Sequence, residues 1–367
     1  MKAIVKKDYG VGGIELMDVP CPEIGADDVL VKIMAAGLCG SDLAFYNGHH
    51  ADILRPPVIL GHEFSGVVHA VGKNVSKWKI GDRVVSDNTG SVCGECYACS
   101  TADYLSCPDR LGLGYGMDGG FAEYCRIPGK TLQVFPNSLM RIPGCMTFEE
   151  AAILDPACNA YMAVVQEARV MPGDFVAVYG VGALGQFSIQ AARAAGAAKI
   201  IAIGLSADSS RFELARLHGA TGIVVSDAQD IQDPSDAQNP SGANGVKKQI
   251  MALTGGEGVS AVIDCAGVNA VMLSAIEIVR TCGVIIKVGY DDKPFNHSLD
   301  DVIGKAINVK GHFGYDWRSW RNVMNLVEAG KFTLDTAITH KLGISEFDKA
   351  LGLLRTREAI KVILYPY

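Results

Sequence analysis

Val176-Ala-Val-Tyr-Gly180-Val181-Gly182-Ala183-Leu184-Gly185 stands near the middle of the 367-residue chain, and its reading decides the fold. An apolar run opens into three glycines, and Gln186 to Ala195 follows with small and apolar residues at helical intervals. The stretch reads as strand, tight turn, helix. Gly180, Val181, Gly182, Ala183, Leu184 and Gly185 then form a candidate phosphate cradle. The glycines let the backbone approach a pyrophosphate, and the helix N-terminus offers unpaired N–H groups and the positive end of its dipole. Glycines in such a turn can also serve close packing alone, so the rest of the chain has to discriminate.

Beyond the glycine turn, short apolar runs recur at Lys199 to Ile203, Gly222 to Val225, Ala261 to Asp264 and Gly283 to Val288, separated mainly by helical segments. This alternation is the pattern of an α/β domain with a doubly wound parallel sheet. Asp227 to Gly245 is rich in Asp, Ser, Asn, Gln, Pro and Gly, and reads as an extended surface loop. On the N-terminal side the texture differs. Lys2 to Val5, Ile14 to Val19, Val29 to Ala35, Gly81 to Val85 and Phe121 to Ile127 read as short strands broken by Gly, Pro and Asp, the mark of an irregular, mostly β region. Glu149 to Ala168 reads as helical, an amphipathic helix is expected near Trp317 to Ala329, and a last strand at Ala359 to Tyr365.

Composition narrows the class. The chain is long enough for two domains, and 33 basic against 40 acidic residues leave a net charge of −7, which gives no reason to expect nucleic acid as a partner. No apolar run is long enough to span a bilayer, and the N-terminal MKAIVKKDYG lacks the apolar centre of a signal peptide, so no membrane association and a cytoplasmic location are expected. Eleven cysteines, an odd number with four crowded together, point to metal binding rather than disulfides.

Those four are the most specific signal in the chain. Cys93-x2-Cys96-x2-Cys99-x7-Cys107 can close four thiolates around Zn²⁺ with no position left for water or substrate, which makes a structural site. Cys39, His62, Glu63 and Asp155 are scattered, but a thiolate, an imidazole and a carboxylate together leave one coordination position open for an alcohol oxygen. Taken singly each has a plainer reading, as a buried thiol, a satisfied core histidine or a turn cap.

Gly37-x-Cys39-Gly-Ser-Asp42, Gly61-His62-Glu63-x2-Gly66, the four-cysteine lobe, Gly180-x-Gly182-x2-Gly185 and Asp155-Pro-x2-Asn159-Ala are spread over nearly the whole chain. Together they resemble the zinc-dependent medium-chain dehydrogenase/reductase superfamily, its sorbitol (polyol) and threonine dehydrogenase branch in particular. The resemblance implies a GroES-like, mostly β catalytic domain (residues 1–155 and 291–367) and a Rossmann domain (156–290). It implies a catalytic zinc held by Cys39, His62 and an acidic ligand, with Glu63 an alternating ligand or close neighbour. Asp155 departs from the glutamate usual in polyol enzymes, and its shorter stem leaves open whether it or Glu63 binds directly. Ser41 matches the hydroxyl that begins a proton relay, and Asp42 the carboxylate that orients a histidine ligand. Where the family often has a relay histidine, Ala44 stands here, with His49 and His50 nearby.

The same resemblance implies hydride transfer between a secondary alcohol of a polyol, sugar alcohol or hydroxy-amino acid and a nicotinamide C4, with zinc lowering the pKa of the substrate hydroxyl. Ala266-Gly267 and Val288-Gly289 would line the cofactor cleft. A homodimer or homotetramer is implied as well. The alternatives are a carbonyl reductase on the same scaffold, or a cofactor-binding protein without turnover. At the end of the second nucleotide-domain strand, where an NAD enzyme carries Asp or Glu, Gly204 stands, followed by Ser206, Ser209, Ser210 and Arg211. With no carboxylate to repel a 2′-phosphate the loop leans toward NADP, while Asp208 keeps NAD open.

Overall fold

The computed structural model describes residues 1–226, 241–290 and 293–367, the side chains of 241–244 excepted. It divides into two compact units, Met1–Asp155 with Trp320–Tyr367, and Pro156–Ser319.

The first unit is built on a seven-stranded sheet. Its strands run in space Leu139–Arg141, Arg83–Ser86, Glu63–Val71, Val29–Leu38, Lys361–Tyr365, Ile338–Gly343, with Tyr124–Ile127 also pairing with Val29–Leu38. Val29–Leu38 is the axis, buried along almost its whole length because it has neighbours on both edges. Val31, Ile33, Phe64, Val68, Phe121, Val362 and Leu364 pack into one core around it. Gly37 lies opposite Glu63, and Leu38 opposite Val362, so the ends of three strands converge at one corner.

The second unit holds a six-stranded, wholly parallel sheet in the spatial order Gly222–Val225, Lys199–Gly204, Phe175–Tyr179, Val259–Asp264, Val279–Lys287, Asn308–Gly311. The strand order reverses between Phe175–Tyr179 and Val259–Asp264, the place where doubly wound sheets open a ligand crevice. Its inner strands are buried on both faces, which is why they are nearly unbroken apolar runs in the sequence.

Two features differ from the sequence reading. The return to the first unit was expected from residue 291, but the chain stays in the second unit through Ser319, because Asn308–Gly311 adds a sixth strand in parallel register with Val279–Lys287. That strand, Asn-Val-Lys-Gly, is exposed throughout and carries no apolar run to announce it. Of the expected loop Asp227 to Gly245, residues 227–240 lie outside the described residues, and the helix Ser241–Leu253 takes up its end. The helical stretch after Thr147 resolves into Phe148–Ala152, Leu154–Tyr161 and a π-helical Met162–Glu167. It starts at a capping box: the Glu150 N–H donates to Thr147 Oγ1 at 3.2 Å, and the Thr147 N–H donates to Glu150 Oε2 at 2.8 Å. Among the described residues no helix is long and apolar enough to cross a membrane.

Candidate metal and cofactor sites

Cys93, Cys96, Cys99 and Cys107 carry free thiols whose sulfur atoms all lie within 4.8 Å of one another. The Cys93–Cys107 and Cys93–Cys99 sulfur separations are 3.6 and 3.9 Å. Sulfurs about 2.3 Å from a tetrahedral zinc stand roughly 3.8 Å apart, so the lobe fits that ion. Its backbone is turned inward to support negative sulfur. The N–H of Cys96 points at Cys93 Sγ (3.4 Å), that of Cys99 at Cys96 Sγ (3.5 Å), and that of Cys93 at Cys107 Sγ (3.5 Å). Backbone N–H groups of Glu95 and Cys96 draw the Cys93 thiol down to about 7.

The second cluster forms where the strand ends converge. Ligand atoms of Cys39, His62 and Glu63 lie within 4.8 Å of one another. Cys39 follows the strand Val29–Leu38 and caps the helix Gly40–Tyr46, and Asp42 in that helix reaches back to accept the Cys39 N–H at 2.9 Å. Glu63 can lie against the central strand only because Gly37 has no side chain: a Cβ there would meet Glu63 Oε2 at 2.4 Å. Ser41 Oγ stands 3.2 Å from His62 Nε2.

This corner gathers buried acidic groups around the imidazole. Burial disfavours the imidazolium of His62, yet the charges of Cys39, Asp42 and Glu63 outweigh it and hold its pKa well above the ordinary value. Burial pushes Asp42 up to about 6, against the pull of His62. Asp42 Oδ1 and His62 Nδ1 face each other at 3.8 Å, both buried and without a hydrogen-bond partner among the described residues. A soft thiolate, a carboxylate and an imidazole backed by an acidic residue suit zinc, so the residues present fit that metal.

Asp155 is placed differently. It is buried in the first turn of Leu154–Tyr161, outside the Cys39, His62 and Glu63 cluster, and its Oδ2 accepts Nδ2 of Asn88 at 2.7 Å. Sequence reasoning missed Lys361. It is buried at the head of the last strand, its Nζ donating to both carboxylate oxygens of Glu63 and to the carbonyl of Leu38 at 3.2 Å. Burial disfavours its ammonium, but Glu63 and Cys39 hold its pKa above the usual value. The available signal was one lysine opening the otherwise apolar run Lys361-Val-Ile-Leu-Tyr365. Ala44 lies in the helix behind Ser41, and His49 and His50 follow in the next turn, His50 edge-on to Phe45 with ring centroids 6.3 Å apart.

In the second unit the glycine turn opens the helix Ala183–Ala194. A Cβ on Gly185 would come 1.8 Å from the carbonyl oxygen of Gly180, so only glycine lets helix and strand close up. At Gly182 the nearest atom to such a Cβ is Arg211 Nη1 at 4.0 Å, which leaves room beside the backbone for a phosphate group. Ala266 and Gly267 donate their N–H groups to Asp264 Oδ1 at 3.0 and 3.1 Å, while Asp264 Oδ2 takes Lys287 Nζ at 2.7 Å. This buried carboxylate ties the C-terminal ends of two strands together, and Gly289 packs there against Gly267. Gln186, also missed in the sequence, is fully buried and donates to the carbonyls of Val181 (3.2 Å) and Arg211 (3.0 Å), with His218 Nδ1 2.9 Å from its Oε1. It locks the glycine turn to the helix Ser209–His218. Gly204 ends its strand against Val181 and Phe212, and Ser206 is exposed in the turn beyond.

Comparison with known proteins agrees with both units. Residues 25–137 match the alcohol dehydrogenase GroES-like domain and residues 183–329 match the zinc-binding dehydrogenase domain. A sorbitol dehydrogenase of Halalkalibacterium halodurans is 33% identical over 367 residues, covering 100% of this chain and 99% of that protein. An L-threonine 3-dehydrogenase of Bacillus velezensis is 33% identical over 370 residues, with the same coverage. The crystal structure of 2R,3R-butanediol dehydrogenase from Bacillus subtilis superposes with a TM-score of 0.84 at 29% identity, covering 100% of this chain and 99% of that one. Likeness along the full length, on a scaffold whose two candidate metal clusters and glycine turn are in place, shows that the chain belongs to the zinc-dependent medium-chain dehydrogenase/reductase superfamily and is an enzyme of the alcohol dehydrogenase kind.

Proposed function

We propose that the protein oxidises a secondary alcohol of a small polyol, sugar alcohol or hydroxy-amino acid, and reduces the matching ketone, at a centre formed by Cys39, His62 and an acidic group. The observation that carries this reading is the Cys39, His62 and Glu63 cluster, with Ser41 Oγ 3.2 Å from His62 Nε2. Zinc, when bound, supplies the Lewis acid that lowers the pKa of the alcohol, and the nicotinamide takes the hydride. Ser41 takes part in removing the hydroxyl proton, handing its own proton onward as it takes up the substrate's. Lys361 pairs with both oxygens of Glu63 and so controls whether that carboxylate would be free to hold the metal, and Asp155 is the second carboxylate available. Cys93, Cys96, Cys99 and Cys107 hold a structural zinc. Gly180 to Gly185, Ala266, Val288 and Gly289 bind the part of the dinucleotide that NAD and NADP share.

For the adenosine ribose we infer NADP. Asp208, the carboxylate that kept NAD open, is buried and turned into its own loop, its Oδ2 accepting the Leu205 N–H at 3.1 Å. Its Oδ1 stands 3.6 Å from Arg211 Nη1, which holds the guanidinium near Gly182. With Gly204, Ser206 and Arg211 at the end of the strand, a 2′-phosphate meets donors rather than a carboxylate. We further infer a homodimer or homotetramer. The edge strand Asn308–Gly311 has no further strand beside it among the described residues, and Ile303, Val309 and Phe313 are exposed around it.

The test is a turnover screen of polyols and L-threonine with both cofactors, beside a zinc count. About two zinc per chain, turnover of one of these substrate classes, and loss of hydride transfer in folded Cys39→Ser and His62→Ala are expected. About one zinc per chain, or turnover retained in either variant, refutes the centre. Tighter binding of NADH than NADPH by fluorescence titration refutes the cofactor assignment, and a monomer by light scattering refutes the oligomer.

A further inference from the structure

Arg110 lies just beyond the last cysteine of the four-cysteine lobe, its N–H donating to the Cys107 carbonyl at 3.1 Å. Its guanidinium forks. Nη1 donates to the hydroxyl of Tyr115, and Nη2 donates to Oδ1 of Asn88. Each branch then continues toward the candidate metal centre.

Along the first branch, the Tyr115 ring packs edge-on against His62, with ring centroids 6.1 Å apart at 73°, and against Phe45 at 5.9 Å. Along the second, Asn88 Nδ2 donates to Asp155 Oδ2 at 2.7 Å. The direction of this second branch is fixed by chemistry. A guanidinium has only donors, so the amide must turn its oxygen to Arg110, which leaves its NH₂ to Asp155. The backbone is committed too: Asn88 is buried and held at φ +59°, a left-handed conformation that asparagine tolerates better than most residues. A second buried carboxylate, Asp87, is pushed up to about 7 by burial and, less, by the charge of Asp155, and drawn back first by the Thr89 N–H at 2.9 Å and then by the charge of Arg110. The guanidinium therefore serves as a counter-charge to a corner crowded with acids.

We propose that Arg110 is a positioning residue for the catalytic centre, fixing the Asp155 carboxylate through Asn88 and the His62 imidazole through Tyr115. One side chain anchored in the cysteine lobe thereby sets the imidazole of the cluster and the second carboxylate available to it, which no backbone pairing brings together. The role needs a planar fork. Lysine keeps the charge but offers no pair of parallel donors at fixed spacing, so Arg110→Lys separates geometry from charge.

This inference rests on the zinc-centre reading, and the test keeps the two apart. Full-length protein is loaded with zinc in the lobe and Co²⁺ in the second site, and three quantities are compared for wild type, Arg110→Lys, Asn88→Ala and Tyr115→Phe. These are the cobalt ligand-field absorption, release of cobalt to a chelator, and kcat and KM for the alcohol. Arg110→Lys and Asn88→Ala are expected to shift the cobalt spectrum and weaken cobalt retention by about 10- to 100-fold, the usual consequence of removing a group that orients a ligand. A lower kcat should accompany this with a smaller change in cofactor KM. Tyr115→Phe keeps the ring and should shift the spectrum less than Arg110→Lys. A wild type that takes up no second metal refutes the zinc-centre reading and this inference with it. A normal wild-type site with unchanged spectrum and retention in both Arg110→Lys and Asn88→Ala overturns this inference alone. If Arg110→Lys also sheds the lobe zinc, Asn88→Ala decides, read beside Asn88→Gly, which removes the same amide without straining the left-handed backbone.

Discussion

Lys361→Met removes the buried ammonium that pairs with Glu63. The side chains of the pair are 3% and 0% exposed, and the ammonium also satisfies the Leu38 carbonyl. Without metal, the variant leaves a buried carboxylate beside Cys39 and Asp42 with its counter-charge gone. Breaking a buried pair in this way costs roughly 3 to 5 kcal/mol, most of it the penalty of the stranded charge. The assay is urea unfolding of the metal-free protein, followed by tryptophan fluorescence, on wild type, Lys361→Met, Glu63→Gln and the double variant. The double variant should recover about half or more of the loss, because it removes the stranded charge with its partner. Added zinc should stabilise Lys361→Met more than wild type by supplying the missing charge. The pH dependence has a definite sign. The folded-state pKa of Lys361 is raised above 10.5, so its contribution is fully present below 10.5 and fades as pH rises through the elevated value. The deficit of the variant should therefore be flat from neutral pH to about 9 and shrink beyond 10.5. A Lys361→Met protein within about 1 kcal/mol of wild type, or one with no selective response to zinc, would refute the reasoning.

Cys96→Ser should release the zinc of the lobe and loosen Cys93 to Cys107, read as the loss of about one metal per chain and faster proteolysis within that segment; a fully protected mutant with unchanged zinc would contradict a structural metal. Gly185→Ala forces a Cβ to within 1.8 Å of the Gly180 carbonyl, so helix and turn must separate. A loss of roughly 1 to 3 kcal/mol is expected, together with weaker binding of both NADH and NADPH in fluorescence titration. Burial disfavours the Glu167 carboxylate, but His312 at 2.6 Å and Lys310 at 2.8 Å lower its pKa below 4.5. Its stabilising contribution is present above 4.5 and lost as pH falls through the lowered value. Glu167→Gln should accordingly narrow the stability difference between pH 6 and pH 3, measured by chemical unfolding at each pH.

The glycine turn, the parallel strands and the four-cysteine lobe were legible in the sequence because each is a local pattern: strand and helix periodicities differ, and a tetrahedral sulfur site needs its cysteines within a few residues. Cys39, His62 and Glu63 were legible as residue types in distinctive local motifs. Their meeting depends on the pairing of Gly37 with Glu63, a long-range register that periodicity alone does not give. Asn308–Gly311 was invisible because an exposed edge strand needs no apolar face.

The sequence by itself determined the two kinds of domain, the cysteine lobe and the dinucleotide turn, since these follow from short-range spacing and backbone permissiveness. Only the tertiary structure decided which charges share the buried corner. Lys361 lies 298 residues from Glu63, and Asp155 lies 67 from Asn88. Such partners are chosen by sheet register and by the high cost of leaving a charge buried alone, and neither leaves a mark on the residues flanking them.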